Sequence, residues 1–381
     1  MVVSGIRAKI IRLGIVTNIL LLSVLSVRKP GRWLQLLKDV RKKRSTVQGL
    51  SGFKKYIRAQ GRYFFSENIP GWPSRAFNGF FKNEIGRILE PDKRGPLSTI
   101  IIAITSRCQL ACGHCYEWNN ISAYEKLTVK DLKGIIGKIK DAGVRHIQLS
   151  GGEPLERFED LLGIVEFAST GADIWLLTSG YGLSNDKALK LKKAGLTGAD
   201  ISLDHWEAEG HNRSRNNPDA FFWVKEAVKS CHDAGLVTSL SLCAFRSFVS
   251  SSNLEKYAAI AKEWNVGFIR LLEPRQAGRF VGMDIELKTE QINLLECFYQ
   301  DANLSDKYLT YPIVTYPGYN QRRSGCFGSG NRYLYIDSKG EIHACPFCQQ
   351  SAGNAVSSSF EEALSLLRSY GCQKFKMNLS D

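Results

Sequence analysis

Acidic residues are almost missing from the first 60 positions, where Asp39 stands alone against 14 Lys or Arg. This segment carries nearly all of the chain's formal net charge of +14. A nucleic-acid groove would spread its basic residues across the fold, so nucleic acid is not an expected partner. A full-length apolar run is also lacking. Residues 13–27, "LGIVTNILLLSVLSV", are uncharged and mostly apolar, but they reach only about 22 Å as a helix against a hydrocarbon core of roughly 30 Å. No persuasive cleavage site follows, which argues against a signal peptide. Arg7, Lys9 and Arg12 precede the run, and Arg28, Lys29 and Arg32 follow it. Two readings stand side by side: a helix on an anionic membrane surface, or a helix docked on the protein's own core. No internal repeat or low-complexity tract is visible. A secreted disulfide framework is not expected despite ten cysteines, because 381 residues can build a core without staples.

What is present begins with a division of the chain. Residues 1–98 read as an N-terminal basic, helical extension, and Pro70, Pro73, Pro91 and Pro96 predict that its second half holds no long helix. Residues 99–274 alternate regularly. The runs "STIIIAIT", "HIQLS", "DIWLLTS", "GADISLD", "LVTSLSLC" and "GFIRLLEP" read as buried strands, and amphipathic helices separate them. The alternation predicts an α/β fold with right-handed βα units, a partial (β/α)6 barrel open on one side. Residues 275–325 read as a connection, and 326–381 as a small separate domain.

Chemistry in parallel βα folds gathers at the carboxyl ends of the strands. There, after the first strand, stands "RCQLACGHCYEW" with Cys108, Cys112 and Cys115. Three thiols leave one position open on a metal centre that takes four ligands. A zinc knuckle with His114 as fourth ligand is the alternative.

The spacing Cys-x3-Cys-x2-Cys followed by Tyr116 resembles the signature of radical S-adenosylmethionine (SAM) enzymes. Three further stretches resemble the same family: "LSGGEPL" after the second strand, "LLTSGYGL" after the third, and "ISLDHWEAEGHNRSRNN" after the fourth. The resemblance implies a TIM-like partial barrel and a [4Fe–4S] cluster on Cys108, Cys112 and Cys115. SAM would chelate the open iron and be cleaved reductively to a 5′-deoxyadenosyl radical that takes hydrogen from a substrate. It implies SAM contacts at Tyr116, Gly151, Gly152, Glu153, Pro154, Ser179, Ser202 and Arg215, with Arg215 on the SAM carboxylate. Ser179 stands where the family has Asn, and Asn212 where it has Asp. Arg213 competes with Arg215, and His205 and His211 read as surface or substrate-facing residues. No catalytic residue is assigned beyond the cluster.

The C-terminal "GCFGSGNRYLYIDSKGEIHACPFC" resembles the hairpin of the SPASM and twitch extensions, shortened, and makes 326–381 a small iron–sulfur domain. It implies a second [4Fe–4S] cluster on Cys326, Cys345, Cys348 and Cys372, with a structural zinc site as the alternative. Cys231, Cys243 and Cys297 read as ordinary thiols. A low-potential electron donor such as a flavodoxin or ferredoxin is the implied redox partner. The substrate is expected to be a peptide or a membrane-associated molecule such as a lipid. The location is expected to be cytoplasmic, peripheral to the inner face of the membrane through residues 1–45, and the core is expected to cleave SAM without them. The rival from another class is a non-catalytic, zinc-stabilised membrane-surface binding protein.

Overall fold

The computed structural model describes residues 1–26, 54–90, 96–372 and 374–375. The basic flank Arg28, Lys29 and Arg32 lies outside the described residues, as does the end of the apolar run.

The chain opens on β1 (Val2–Ser4), continues through α1 (Gly5–Ser26), and returns as β2 (Lys55–Ala59) and β3 (Arg62–Phe64). The three strands form an antiparallel sheet with β2 in the middle. Next comes α2 (Arg75–Leu89), a helix of 15 residues where the prolines predicted none. The prolines bracket it rather than interrupt it. Pro73 precedes the Ser74 cap, whose hydroxyl accepts the Phe77 amide, and Pro91 lies beyond the last turn. Phe77, Phe80, Phe81 and Ile85 recur at helical spacing and bury against Val3, Ile11, Ile15 and Leu22.

From residue 99 the structure follows the predicted alternation. β4 (Thr99–Ala103), β5 (His146–Ser150), β6 (Asp173–Thr178), β7 (Gly198–Ser202), β8 (Val237–Cys243) and β9 (Phe268–Leu272) lie side by side, parallel and in chain order. Their crossovers are α3 (Val129–Asp141), α4 (Phe158–Ala168), α5 (Asn185–Ala194), the pair α6 (Ala208–Arg215) and α7 (Ala220–Asp233), and α8 (Ser251–Glu263). One set of alternate strand residues, including Ile147, Leu149, Ile174, Leu176, Leu240 and Leu242, packs into the core shared with the helices. The other set includes Gln148, Ser150, Asp200, Ser202, Ser241 and Arg270, and it faces a cavity.

Residues 275–325 supply more than a connection. After α9 (Thr289–Leu304), β10 (Ile313–Thr315) pairs parallel with β9, and α10 (Pro317–Ser324) follows. At the other edge β11 (Tyr333–Ile336) pairs parallel with β4. β12 (Glu341–His343) and β13 (Ser351–Asn354) continue antiparallel before α11 (Phe360–Tyr370). One ten-stranded sheet therefore runs from β10 through β4 to β13, and the strands of 326–381 extend it.

The β2–β3 hairpin closes the barrel at the amino ends of its strands. Ile57 and Phe64 pack on Trp175, Val237, Phe268 and Ile313. Lys55 is buried, and its Nζ lies within hydrogen-bond distance of the carbonyls of Ala302 (2.7 Å), Tyr308 (3.0 Å), Tyr311 (3.1 Å) and Pro312 (2.7 Å). Arg62 pairs with Asp173 at 2.6 Å, and Gln60 Nε2 donates to the Thr197 carbonyl at 2.7 Å. The N-terminal region thus contains a β-hairpin floor as well as helices.

Candidate active site

The loop after β4 carries Cys112 buried and Cys108 and Cys115 half-buried, and all three line one cavity of about 1420 Å³. Two neighbours brace this loop. From β5, the Gly152 amide donates to the Thr105 carbonyl at 2.9 Å and the Glu153 amide to the Arg107 carbonyl at 2.7 Å. A Cβ on Gly151 would stand 2.5 Å from the Thr105 oxygen, and one on Gly152 would overlap the Arg107 carbonyl. The two glycines therefore let the cysteine loop and the Gly-Gly-Glu-Pro segment close on each other. From the other side, Arg279 donates its amide to the Cys115 carbonyl at 3.1 Å and lays its guanidinium 3.4 Å from the centre of the Trp118 ring. Gly278 makes this approach with φ +56, against Cys115 and Tyr116. Neither Gly278 nor Arg279 carried a motif in the sequence.

Glu153 is fully enclosed. Its carboxylate accepts from Thr178 Oγ1 (2.7 Å), the Ser179 amide (2.8 Å), Ser179 Oγ (2.6 Å) and the Leu155 amide (3.1 Å). Burial raises its pKa while these donors oppose the rise. Ser179 thus spends its hydroxyl on Glu153, joining the ends of β5 and β6. Pro154 opens a short 3-10 turn, Pro154–Arg157. Tyr116 bonds Ser150 through its hydroxyl at 3.0 Å. Ser202 ends β7 and lines the cavity.

Arg215, at the end of α6, also lines the cavity. Its Nε stands 2.7 Å from Asp204 Oδ2, and its NH1 is 3.8 Å from Cys112 Sγ. Asp204 additionally accepts from Ser214 Oγ at 2.9 Å and lies 3.5 Å from His114 Nε2. Burial works to raise the Asp204 pKa, but Arg215 and the two nearby histidines outweigh it and hold the carboxyl well below its usual range. Burial lowers His114 to about 4 and His211 to about 3, so both are neutral at pH 7. Sequence reasoning passed over Asp204, although it is the acid of the quoted "SLD". Arg213 points outward to Glu209 at 2.5 Å, and Asn212 Oδ1 accepts the Phe221 amide. Neither lines the cavity.

The second cysteine group opens into the same cavity. Cys345 and Cys348 have sulfurs 3.3 Å apart, Cys326 Sγ accepts the Gly328 amide at 3.3 Å, and Cys372 Sγ accepts the Phe375 amide at 3.4 Å. The hairpin that carries them turns at Gly340, φ +86, where Asp337 Oδ1 accepts the amides of Lys339 and Glu341, each at 2.9 Å. Phe347 and Tyr335 both meet Tyr116 edge-on, at 6.1 and 6.0 Å, between the two groups. Of the remaining thiols, Cys231 is buried, Cys243 lines the cavity and Cys297 is exposed.

The donor set suits an iron–sulfur cluster. Burial pushes the Cys108 thiol up to about 12 and Cys115 to about 11, so ionising them calls for a bound cation. Among the described residues, no three His, Cys, Asp or Glu side chains are drawn close enough for a single metal ion.

A parallel α/β sheet with an open three-thiol loop at its carboxyl edge defines a class, and comparison with known proteins agrees with it. Residues 102–248 match the family model described as the radical SAM superfamily. The mycofactocin maturase MftC of Mycolicibacterium smegmatis is 27% identical over 285 residues, covering 72% of this chain and 71% of the relative. The AdoMet-dependent heme synthase of Methanosarcina barkeri is 26% identical over 285 residues, covering 68% and 79%. Streptococcus suis SuiB, solved bound to its precursor peptide SuiA, shares the fold with a TM-score of 0.60 at 14% identity, covering 77% of this chain and 69% of that one. Residues 102–248 are a radical SAM domain, and the chain that carries it is similar over about two thirds of its length to radical SAM enzymes.

Proposed function

We propose that Cys108, Cys112 and Cys115 hold the SAM-binding [4Fe–4S] cluster and that SAM lies between this loop and the ends of β5, β6 and β7. The convergence of three buried-loop thiols with Gly151, Gly152, Ser202 and Arg215 on one cavity carries this reading. When bound, the cluster supplies the electron that cleaves SAM to methionine and a 5′-deoxyadenosyl radical, which takes hydrogen from the substrate. The chain's own residues bind and orient. Arg215 presents a guanidinium already fixed by Asp204, suited to a carboxylate. Glu153 holds Thr178 and Ser179 in place, and Tyr116 is steadied by Ser150. Cys326, Cys345, Cys348 and Cys372 are assigned to an auxiliary cluster, in a C-terminal segment read as a shortened SPASM-like extension. A small low-potential protein is the electron donor assigned to it.

The test is anaerobic reconstitution followed by iron and sulfide analysis, and reduction with dithionite in the presence of SAM. The wild type should release 5′-deoxyadenosine. The variant with Cys108, Cys112 and Cys115 all changed to Ala should release none while keeping iron at the auxiliary site. Continued release from that variant would remove the assignment.

A further inference from the structure

Helix α1 is apolar nearly all round, yet only 28% of its most apolar 18-residue stretch is buried. Its sides do three different things. Ala8, Ile11, Ile15 and Leu22 belong to the core shared with α2. Ile6, Ile10, Leu13, Leu21, Val24 and Leu25 are exposed. Between these two faces, Val16, Ile19 and Leu20 line the large cavity, opposite Phe81, Ile85 and Ile88 of α2. That cavity is continuous with the one that holds Cys108, Cys112 and Cys115. Leu20 is both 39% exposed and a cavity wall, so the apolar arm opens on the apolar outer face.

Two ties fix how α1 lies. β1 pairs with β2 at the helix start, and Trp72 Nε1 donates to Asn18 Oδ1 at 3.1 Å in the middle. By length and composition the 22-residue helix could cross a membrane, more than the 15-residue apolar run implied, but its ties at start and middle hold it against the body, an arrangement suited to lying in the interface with one side down. Charge identifies the surface it meets. Arg7 and Lys9 are exposed on α1, and the sequence of residues 1–44 holds 11 Lys or Arg against one acid, a charge complementary to anionic lipid. The cavity of about 1420 Å³ runs without interruption from both cysteine groups to the α1–α2 arm, so a molecule seated in the arm shares one space with the cysteine loop.

We propose that the arm between α1 and α2 binds the hydrocarbon chain of a membrane lipid, and that the enzyme's substrate is such an amphiphile drawn from an anionic bilayer. Its chain lies along Ile19, Leu20, Phe81 and Ile85, and its polar end reaches the cysteine loop. This rests on the SAM-site reading given above for the polar end.

The experiment uses the full chain with vesicles of phosphatidylglycerol or phosphatidylcholine. Each vesicle carries a matching lipid with a diazirine midway along one acyl chain. After irradiation, crosslinked residues are mapped by mass spectrometry. Labels should fall on residues 16–20 and 81–88, at least about tenfold more with phosphatidylglycerol. Leu20→Asp, a change at the exposed mouth, should reduce that labelling by about fivefold or more. Labels confined to Ile6, Ile10 and Leu13 would mean a helix resting on the membrane without admitting a chain, and would overturn the site. So would equal labelling from both lipids, unchanged labelling of the variant, or a dimer that covers α1 and takes up no label. Release of 5′-deoxyadenosine by the reduced wild type without vesicles decides the SAM-site reading separately.

Discussion

Arg215 is held in place before any ligand arrives. Asp204 is its counter-charge, and both are nearly enclosed. Truncating one member of a buried pair leaves the other unpaired, a loss of about 3–5 kcal/mol. Arg215→Ala should therefore weaken SAM binding and also lower the apparent Tm. Adding Asp204→Asn should recover much of the Tm without restoring SAM affinity. Calorimetry for SAM and a thermal scan on the same samples separate the two roles, and an affinity unchanged in Arg215→Ala would end the assignment. Gly278 offers a second residue-level expectation. Its left-handed backbone sits against the Cys115 carbonyl with no room for a Cβ. Gly278→Ala should displace the cysteine loop and cut iron per chain by about half, leaving the auxiliary share. Full iron content after reconstitution would show that the loop tolerates the shift. The contrast with the sequence is instructive. Cys108, Gly151 and Arg215 stood in spaced patterns, whereas Gly278 lies about 160 residues from the loop it braces, and only the fold brings them together.

At the level of elements, the six strands β4 to β9 were legible because each buried strand is bounded by turns and alternates with an amphipathic helix. β2 and β3 were not. They are short, and Lys55, Arg58 and Arg62 place them within a basic stretch. Nothing in local periodicity says that Lys55 will be buried among four carbonyls, since those carbonyls belong to residues 302–312. β10 was hidden for a related reason: three residues paired to one edge give almost no periodic signal. The Lys55 contact is testable. Lys55→Met keeps the length of the side chain but leaves buried carbonyls without donors, at about 1–3 kcal/mol for the unsatisfied groups. The variant should unfold at lower denaturant than wild type, and trypsin should reach the 302–312 region sooner. A wild-type midpoint would mean that water replaces the ammonium.

For the molecule as a whole, residues 1–26 are expected to matter more than their sequence implied. As part of residues 1–45, read as a basic appendage, they are expected to be removable with a gain in solubility. In the structure they cover Phe77, Phe80, Phe81 and Ile85 and complete the sheet beside the barrel floor. Each such side chain is worth about 1.5–3 kcal/mol when fully buried. Deletion of residues 1–26 should therefore yield aggregated protein, measured as loss from the monomer peak in size-exclusion chromatography. A soluble, monomeric truncation would show that α1 is only loosely seated.

The pairing of β4 with β11 has a consequence in time. β4 ends at Ala103 and its partner begins at Tyr333, so most of the chain must be made between them. At about 5–20 residues per second, that edge of β4 waits on the order of tens of seconds on the ribosome without its ladder. During that interval an apolar strand edge is open to pairing with other chains, and the adjoining cysteine loop lacks one of its walls. The order of synthesis therefore leaves that edge, and the wall it gives the cysteine loop, incomplete until the last hairpin emerges.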